Sequence, residues 1–96
     1  MFKIKVKLCS PIKEIAKASE LVVNMEERSS LHSLVEVLSN KYGEGLKRIY
    51  HLDANLDFSQ YFLISVNNKI VNAPNLASVE LKPGDTVEAL EPVAGG

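Results

Sequence analysis

Residues 29–43, Ser29-Ser30-Leu31-His32-Ser33-Leu34-Val35-Glu36-Val37-Leu38-Ser39-Asn40-Lys41-Tyr42-Gly43, decide the fold class. Leu31, Leu34, Val35, Leu38 and Tyr42 fall at i, i+3, i+4, i+7 and i+11, the apolar stripe of a helix that buries one face on a neighbouring layer. Ser29 and Ser30 bring hydroxyls that cap helix N-termini, and Gly43 supplies a stop. What that stripe covers is read from the sequence on either side.

Upstream, Phe2, Ile4, Val6 and Leu8 share one parity and Lys3, Lys5 and Lys7 the other, the period of two that a strand shows when one face is buried. After Ser10-Pro11, residues 12–19 hold enough polar character for a helical turn at most. They are too short for a stable helix and read as a long hairpin loop. Leu21, Val22 and Val23 return as a second strand that ends at Glu26-Glu27-Arg28. Downstream, Leu46, Ile49 and Tyr50 share one side of a short second helix, and Asp53-Ala54-Asn55-Leu56-Asp57 reads as a loop. Phe62, Ile64 and Val66 alternate as a strand. Asn67-Asn68 suits a turn at positive φ, and Lys69-Ile70-Val71 comes back as the other arm of a hairpin. Leu76, Val79 and Leu81 add core side chains, Pro83-Gly84-Asp85 makes a turn, and Val87 and Ala89 take the inward parity of a final strand. This order predicts an α+β chain of the β-grasp type: a mixed sheet, one main helix packed across one face, and the last strand inserted beside the first.

Ninety-six residues make a single domain, expected over residues 1–91 with a flexible tail at 92–96. With 46% hydrophobic residues the chain can fill a core without staples. Eleven Lys and Arg against twelve Asp and Glu give a net charge of −1, which argues against a nucleic-acid partner bound by displacing counterions from phosphates. One cysteine excludes an internal disulfide and fits a reducing, cytoplasmic location. No apolar run approaches the ~20 residues of a membrane span, and the alternating N-terminus is unlike a signal peptide.

Sites for chemistry are few. Gly43 and Gly45 lack the Lys-Ser or Lys-Thr of a phosphate-binding loop, so ATP is not expected to bind this chain alone. His32 and His51 have no second ligand at zinc spacing, and His32, off the helix stripe, reads as a surface residue. Cys9 closes the lysine parity of the first strand, where positive neighbours lower a thiol pKa. With no base or partner cysteine, it reads as a structural thiol rather than a nucleophile. The row Lys3, Lys5, Lys7 is either a solvated sheet face or a docking surface for an acidic partner.

Glu91-Pro92-Val93-Ala94-Gly95-Gly96 leaves the last strand through a proline, which cannot extend a ladder. A Gly-Gly end is slim enough for a narrow channel, and the Gly96 carboxylate, ionised at neutral pH, can attack an activated phosphate to form an acyl-adenylate. Taken alone, such an end also reads as a frayed terminus.

Essentially the whole chain resembles the MoaD/ThiS family of ubiquitin-like sulfur carriers. The resemblance rests on the Lys-rich first strand, Ile12-Lys13-Glu14-Ile15-Ala16, the helix opening at Ser30-Leu31, and Ile64-Ser65-Val66-Asn67-Asn68. Its most specific part is Leu81-Lys82-Pro83-Gly84-Asp85-Thr86-Val87 running into the terminal Gly-Gly. Residues 44–60 form a longer insert than the shorter members carry, as in archaeal-type MoaD and the cysteine-forming CysO carriers. The resemblance implies a carrier that is not itself an enzyme and binds no cofactor. An adenylating partner of the MoeB/ThiF type uses ATP to activate Gly96, with Gly95 its slender neighbour, and a sulfur donor converts the adenylate to a thiocarboxylate. Leu90, on the outward parity, with Pro92 and Val93 at the root of the tail, is the candidate surface for docking partners. The first implied role is that of the small subunit of molybdopterin synthase, its tail inserted into a MoaE-like large subunit. Thiazole or cysteine synthesis, tRNA thiolation and protein modification are alternatives within the family. Outside it, the domain would be a ubiquitin-like docking module with an inert tail.

Overall fold

The alternation in the first strand reappears in three dimensions: in β1 (Phe2–Lys7), Phe2, Ile4 and Val6 are buried and the three lysines exposed. The computed structural model describes residues 1–52 and 58–91; the loop expected at 53–57 and the tail at 92–96 lie outside them. After β1 come α1 (Ile12–Ala16), β2 (Glu20–Met25), α2 (Leu31–Tyr50), α3 (Phe58–Tyr61), β3 (Leu63–Val66), β4 (Lys69–Val71), a 3-10 segment (Ala73–Ser78) and β5 (Thr86–Leu90). The five strands form one sheet in the order β2-β1-β5-β3-β4. β5 runs parallel to β1 and antiparallel to β3, so the last strand fills the centre of the sheet, and the architecture is the α+β β-grasp.

The long helix crosses one face of that sheet. Ser30 caps it from extended backbone, its Oγ accepting from the Ser33 N–H at 3.2 Å. The stripe Leu31, Leu34, Val35, Leu38 and Tyr42 is buried, and Leu46 continues it. Burying each leucine in full contributes about 1.5–3 kcal/mol, so this stripe and the inward residues Ile4, Val6, Val87 and Ala89 hold the two layers together.

Two expectations fail here. Gly43 does not stop the helix, which runs on for 20 residues in all and ends at His51, whose φ of 55° makes the left-handed cap. A glycine ends a helix only where the chain turns left-handed. Gly43 instead lies buried in the helix, and Gly45 is where α1 comes close, since a Cβ there would stand 3.0 Å from Ile15 Cγ2. The segment expected to be loop is the short helix α1. Tertiary packing makes up for its length: Ile12 is fully buried and Ile15 packs on the core. Ser10 Oγ also donates to Glu14 Oε1 at 2.8 Å across its first turn.

The close approach at Gly45 gives a test of this packing. Gly45→Val should destabilise the domain by about 1–3 kcal/mol through overpacking against Ile15, although valine is the better helix former. Urea unfolding of the two chains measures the difference.

Candidate functional site

The site is the end of β5, and the residues before β5 set where that end lies. Gly84 turns the chain at φ 88°, a conformation that favours glycine. Asp85 then clamps the turn: its Oδ2 accepts from the Lys82 backbone N–H at 2.8 Å, and its Oδ1 accepts from Asn67 Nδ2 at 3.0 Å. Asn67, at φ 49° in the β3–β4 turn, accepts the Thr86 N–H on its Oδ1 at 3.0 Å and donates its own N–H to the Thr86 carbonyl at 2.8 Å. The Lys-Pro-Gly-Asp and Asn-Asn turns are thus bolted to each other, which fixes the register of β5 against β3.

In that register Val87 and Ala89 point into the core, while Leu90 faces outward, half-buried, opposite the exposed Leu63. Leu90 is the one expected docking residue that the structure describes; Pro92, Val93, Gly95 and Gly96 lie outside the described residues. The lysine row of β1 is flanked by acids: Lys5 Nζ is 3.7 Å from Glu20 Oε1, and Lys7 stands across the sheet from Glu20 on one side and Glu88 on the other. These carboxylates offset its field.

On the other side of the strand end lies a group that the sequence does not announce. Tyr50, the last residue of α2, stacks on Tyr61, the last of α3, with ring centroids 5.6 Å apart and planes 23° from parallel. Glu91 follows β5 directly, and its charge reaches both Tyr50 and Cys9. Burial pushes the Cys9 thiol above its ordinary pKa and Glu91 adds to the rise; backbone N–H groups of Cys9 and Glu91 oppose it only in part. The sequence reads Cys9 as a structural thiol although its lysine neighbours would lower the pKa, and the structure sets burial and a carboxylate against that lowering. Burial, then Glu91, Cys9 and Tyr61, likewise raise Tyr50.

The histidines are accounted for locally. His32 Nδ1 sits 3.2 Å from Glu36 Oε1 on the exposed side of α2, and His51 is the helix cap. Among the described residues no three His, Cys, Asp or Glu side chains are grouped as a metal site would need, and no helix is long and apolar enough to cross a membrane. Tyr50 and Ile49 do occupy a helix, as their spacing with Leu46 implies, but the helix is α2 itself, and both residues are exposed while Leu46 is buried. The four-residue α3 that carries Tyr61 is too short to give a periodic signal.

The sequence model of the ThiS family matches residues 6–96. No curated protein matches the chain. A solved protein of Pyrococcus furiosus assigned as molybdopterin converting factor subunit 1 is similar, with a TM-score of 0.71 and 25% identity over 97% of this chain and all of that one. Small archaeal modifier protein 1 of Methanosarcina acetivorans superposes with a TM-score of 0.69 at 24% identity, over all of this chain and 98% of its own. The complex of subunits 1 and 2 of the molybdopterin-converting factor of Helicobacter pylori contains a chain matched with a TM-score of 0.56 at 21% identity, over 99% of this chain and all of that one.

The thiol reports on this strand end. Cys9 should react with iodoacetamide at pH 8 more slowly than an unhindered thiol, because a raised pKa leaves less thiolate. Glu91→Gln should lower that pKa and move the pH–rate profile toward acid, while burial keeps it above the ordinary value. An unmoved profile would place Glu91 away from the sulfur.

Proposed function

Because the chain belongs to the ThiS family, we propose that it is a ubiquitin-like sulfur carrier in which Gly96 is the group activated and converted to a thiocarboxylate. The family match, which runs to the terminal Gly95-Gly96, is the observation that carries this reading. In the reaction the Gly96 carboxylate oxygen attacks the α-phosphorus of ATP held by an adenylating enzyme of the MoeB/ThiF type, and pyrophosphate leaves. A sulfur nucleophile then displaces AMP from the acyl carbon. The carrier contributes only the carboxylate and the surface that presents it. Its own histidines and Cys9 have no step to perform.

The acceptor we assign is the precursor of molybdopterin, with the chain acting as small subunit of the synthase beside a MoaE-like large subunit. Support comes from the likeness to the Pyrococcus furiosus converting-factor subunit and to the two-subunit Helicobacter pylori complex. A second reading, attachment to other proteins as a modifier, is favoured by the equally good superposition on small archaeal modifier protein 1. Both readings use the same activation step and diverge only at the acceptor. Residues 1–91 serve as the body and 92–96 as the reactive tail, and Leu90, Pro92 and Val93 form the docking surface at its root. The half-buried Leu90 beside the exposed Leu63 supports an apolar contact on the open sheet face.

Incubation with a cognate adenylating enzyme, ATP and a sulfide source should raise the intact mass by the difference between sulfur and oxygen. An unchanged mass, with a control carrier converted in parallel, overturns the carrier reading. One residue appended after Gly96 should abolish conversion and leave thermal stability unaltered. Leu90→Asp should fold, since Val87 and Ala89 keep the inward positions, yet weaken partner binding about tenfold or more, because the carboxylate must be desolvated on docking. Circular dichroism and calorimetric titration separate those two effects.

A further inference from the structure

We infer that the stacked Tyr50–Tyr61 pair and the Glu91 carboxylate form a seat for an arginine side chain of the protein that activates the chain's terminal glycine. This deepens the sulfur-carrier reading and rests on it for the partner's class. Tyr50 and Tyr61 are 36% and 38% exposed, so the rest of the domain does not close over the pair, and Tyr61 lies two residues before Leu63, which pairs with Leu90 at the end of β5.

The seat is rigid. Tyr50 is held by the last turn of α2, which the His51 cap closes. Tyr61 is held by α3, whose first N–H, that of Phe58, donates to Ser39 Oγ at 3.1 Å and whose Phe58 ring is fully buried against Phe62. Little ordering entropy is left for a partner to supply.

Charge complementarity identifies the occupant. Glu91 is exposed, and among the described residues it has no cation within ion-pair distance; the ion pairs there are Met1–Glu27, Lys5–Glu20 and His32–Glu36. Neither of the chain's two arginines can fill the gap. Arg48 lies two residues from Tyr50, a spacing that puts it on another side of the helix, where it lines a cleft with Glu44, Lys47 and His51. Arg28 precedes the far end of α2, about 30 Å away along a helix of 20 residues. A carboxylate at the same end of the β3–β5 pair as an exposed aromatic pair matches a guanidinium, which stacks on a ring and bonds a carboxylate through two N–H groups; a lysine ammonium is more strongly hydrated and lacks that fork. Continuity with the docking surface completes the case. Leu63, two residues after Tyr61, stands beside Leu90, so the aromatic seat and the apolar pair flank the point where the chain leaves the sheet.

The test is calorimetric titration of the full chain with its cognate adenylating enzyme, without ATP, so that binding is read apart from chemistry. Glu91→Gln should weaken binding about tenfold and flatten its salt dependence, and Tyr61→Ala should weaken it by a similar factor. Tyr61→Phe, which keeps the ring, should bind within about twofold of the wild type. His32→Ala, on a distant exposed face, should bind as the wild type does. Thermal unfolding of each variant shows whether it is folded. If Tyr61→Ala fails to fold, Glu91→Gln and Tyr50→Ala decide the matter. Acetylating the enzyme's lysines should leave the Glu91→Gln penalty in place; its disappearance overturns the arginine. Wild-type binding that is absent, or equal in folded Glu91→Gln and tyrosine variants, overturns the seat. Binding that depends on these residues without thiocarboxylate formation upholds the seat and overturns the sulfur reading instead.

Discussion

The parallel pairing of β5 with β1 is the constraint on which the rest of the molecule depends. It sets Lys5, Val6 and Lys7 beside Thr86, Val87 and Glu88, residues from opposite ends of the chain. Until that pairing forms, β1 and β2 are one hairpin and β3 and β4 another, and a lone two-stranded hairpin is marginal in water. β5 joins them into a sheet wide enough for α2 to cover. Contacts of this sequence separation require a large loop to close first, and the clamp between Asp85 and Asn67 offsets part of that cost by fixing where β5 starts.

This arrangement ties presentation of the last residues to complete folding. A terminal segment that followed an edge strand would remain accessible in a half-folded chain. Here the segment follows the central strand, so the surface at its root exists only when β1, β3 and β5 are all in register. Leu63 comes from β3, Leu90 and Glu91 from β5 and its end, and Tyr50 and Tyr61 from two helices. A partner that contacts both sides of the strand end therefore reads the folded domain and not a peptide.

The sequence made the layers legible because they rest on periodicity. Period two in Phe2–Leu8 and the helical stripe from Leu31 to Tyr42 each report one buried face, and β-grasp wiring follows from their order. Turn chemistry was legible too: Asn67 and Asn68 at positive φ and Gly84 in its turn are where the residue types place them. What failed to show was any feature decided by a neighbour distant in sequence. Ile15 stabilises α1 by meeting Gly45, and the Cys9 thiol responds to Glu91 more than to adjacent lysines. Gly43 reads as a stop because residue type alone does not distinguish a cap from a helix-interior position. The residues alone left the Gly95-Gly96 end open between a reactive tail and a frayed terminus, and only family resemblance chose between them.

The misread glycine and the aromatic seat are one fact seen twice. From Gly43 to Tyr50 the continued helix adds roughly 10 Å at 1.5 Å per residue. A helix ending at Gly43 would cover the sheet with the same stripe from Leu31 to Tyr42, but it would bring no ring onto Tyr61. Continuing it carries Leu46 into the core and brings Tyr50 onto Tyr61, which α3 supplies just before β3. Gly45 is what lets the extension coexist with α1, because any larger residue would push Ile15 away. The continuation of α2 and the short α3 therefore act at the proposed functional end: they add a second, aromatic side to a surface that β3 and β5 alone would make only apolar.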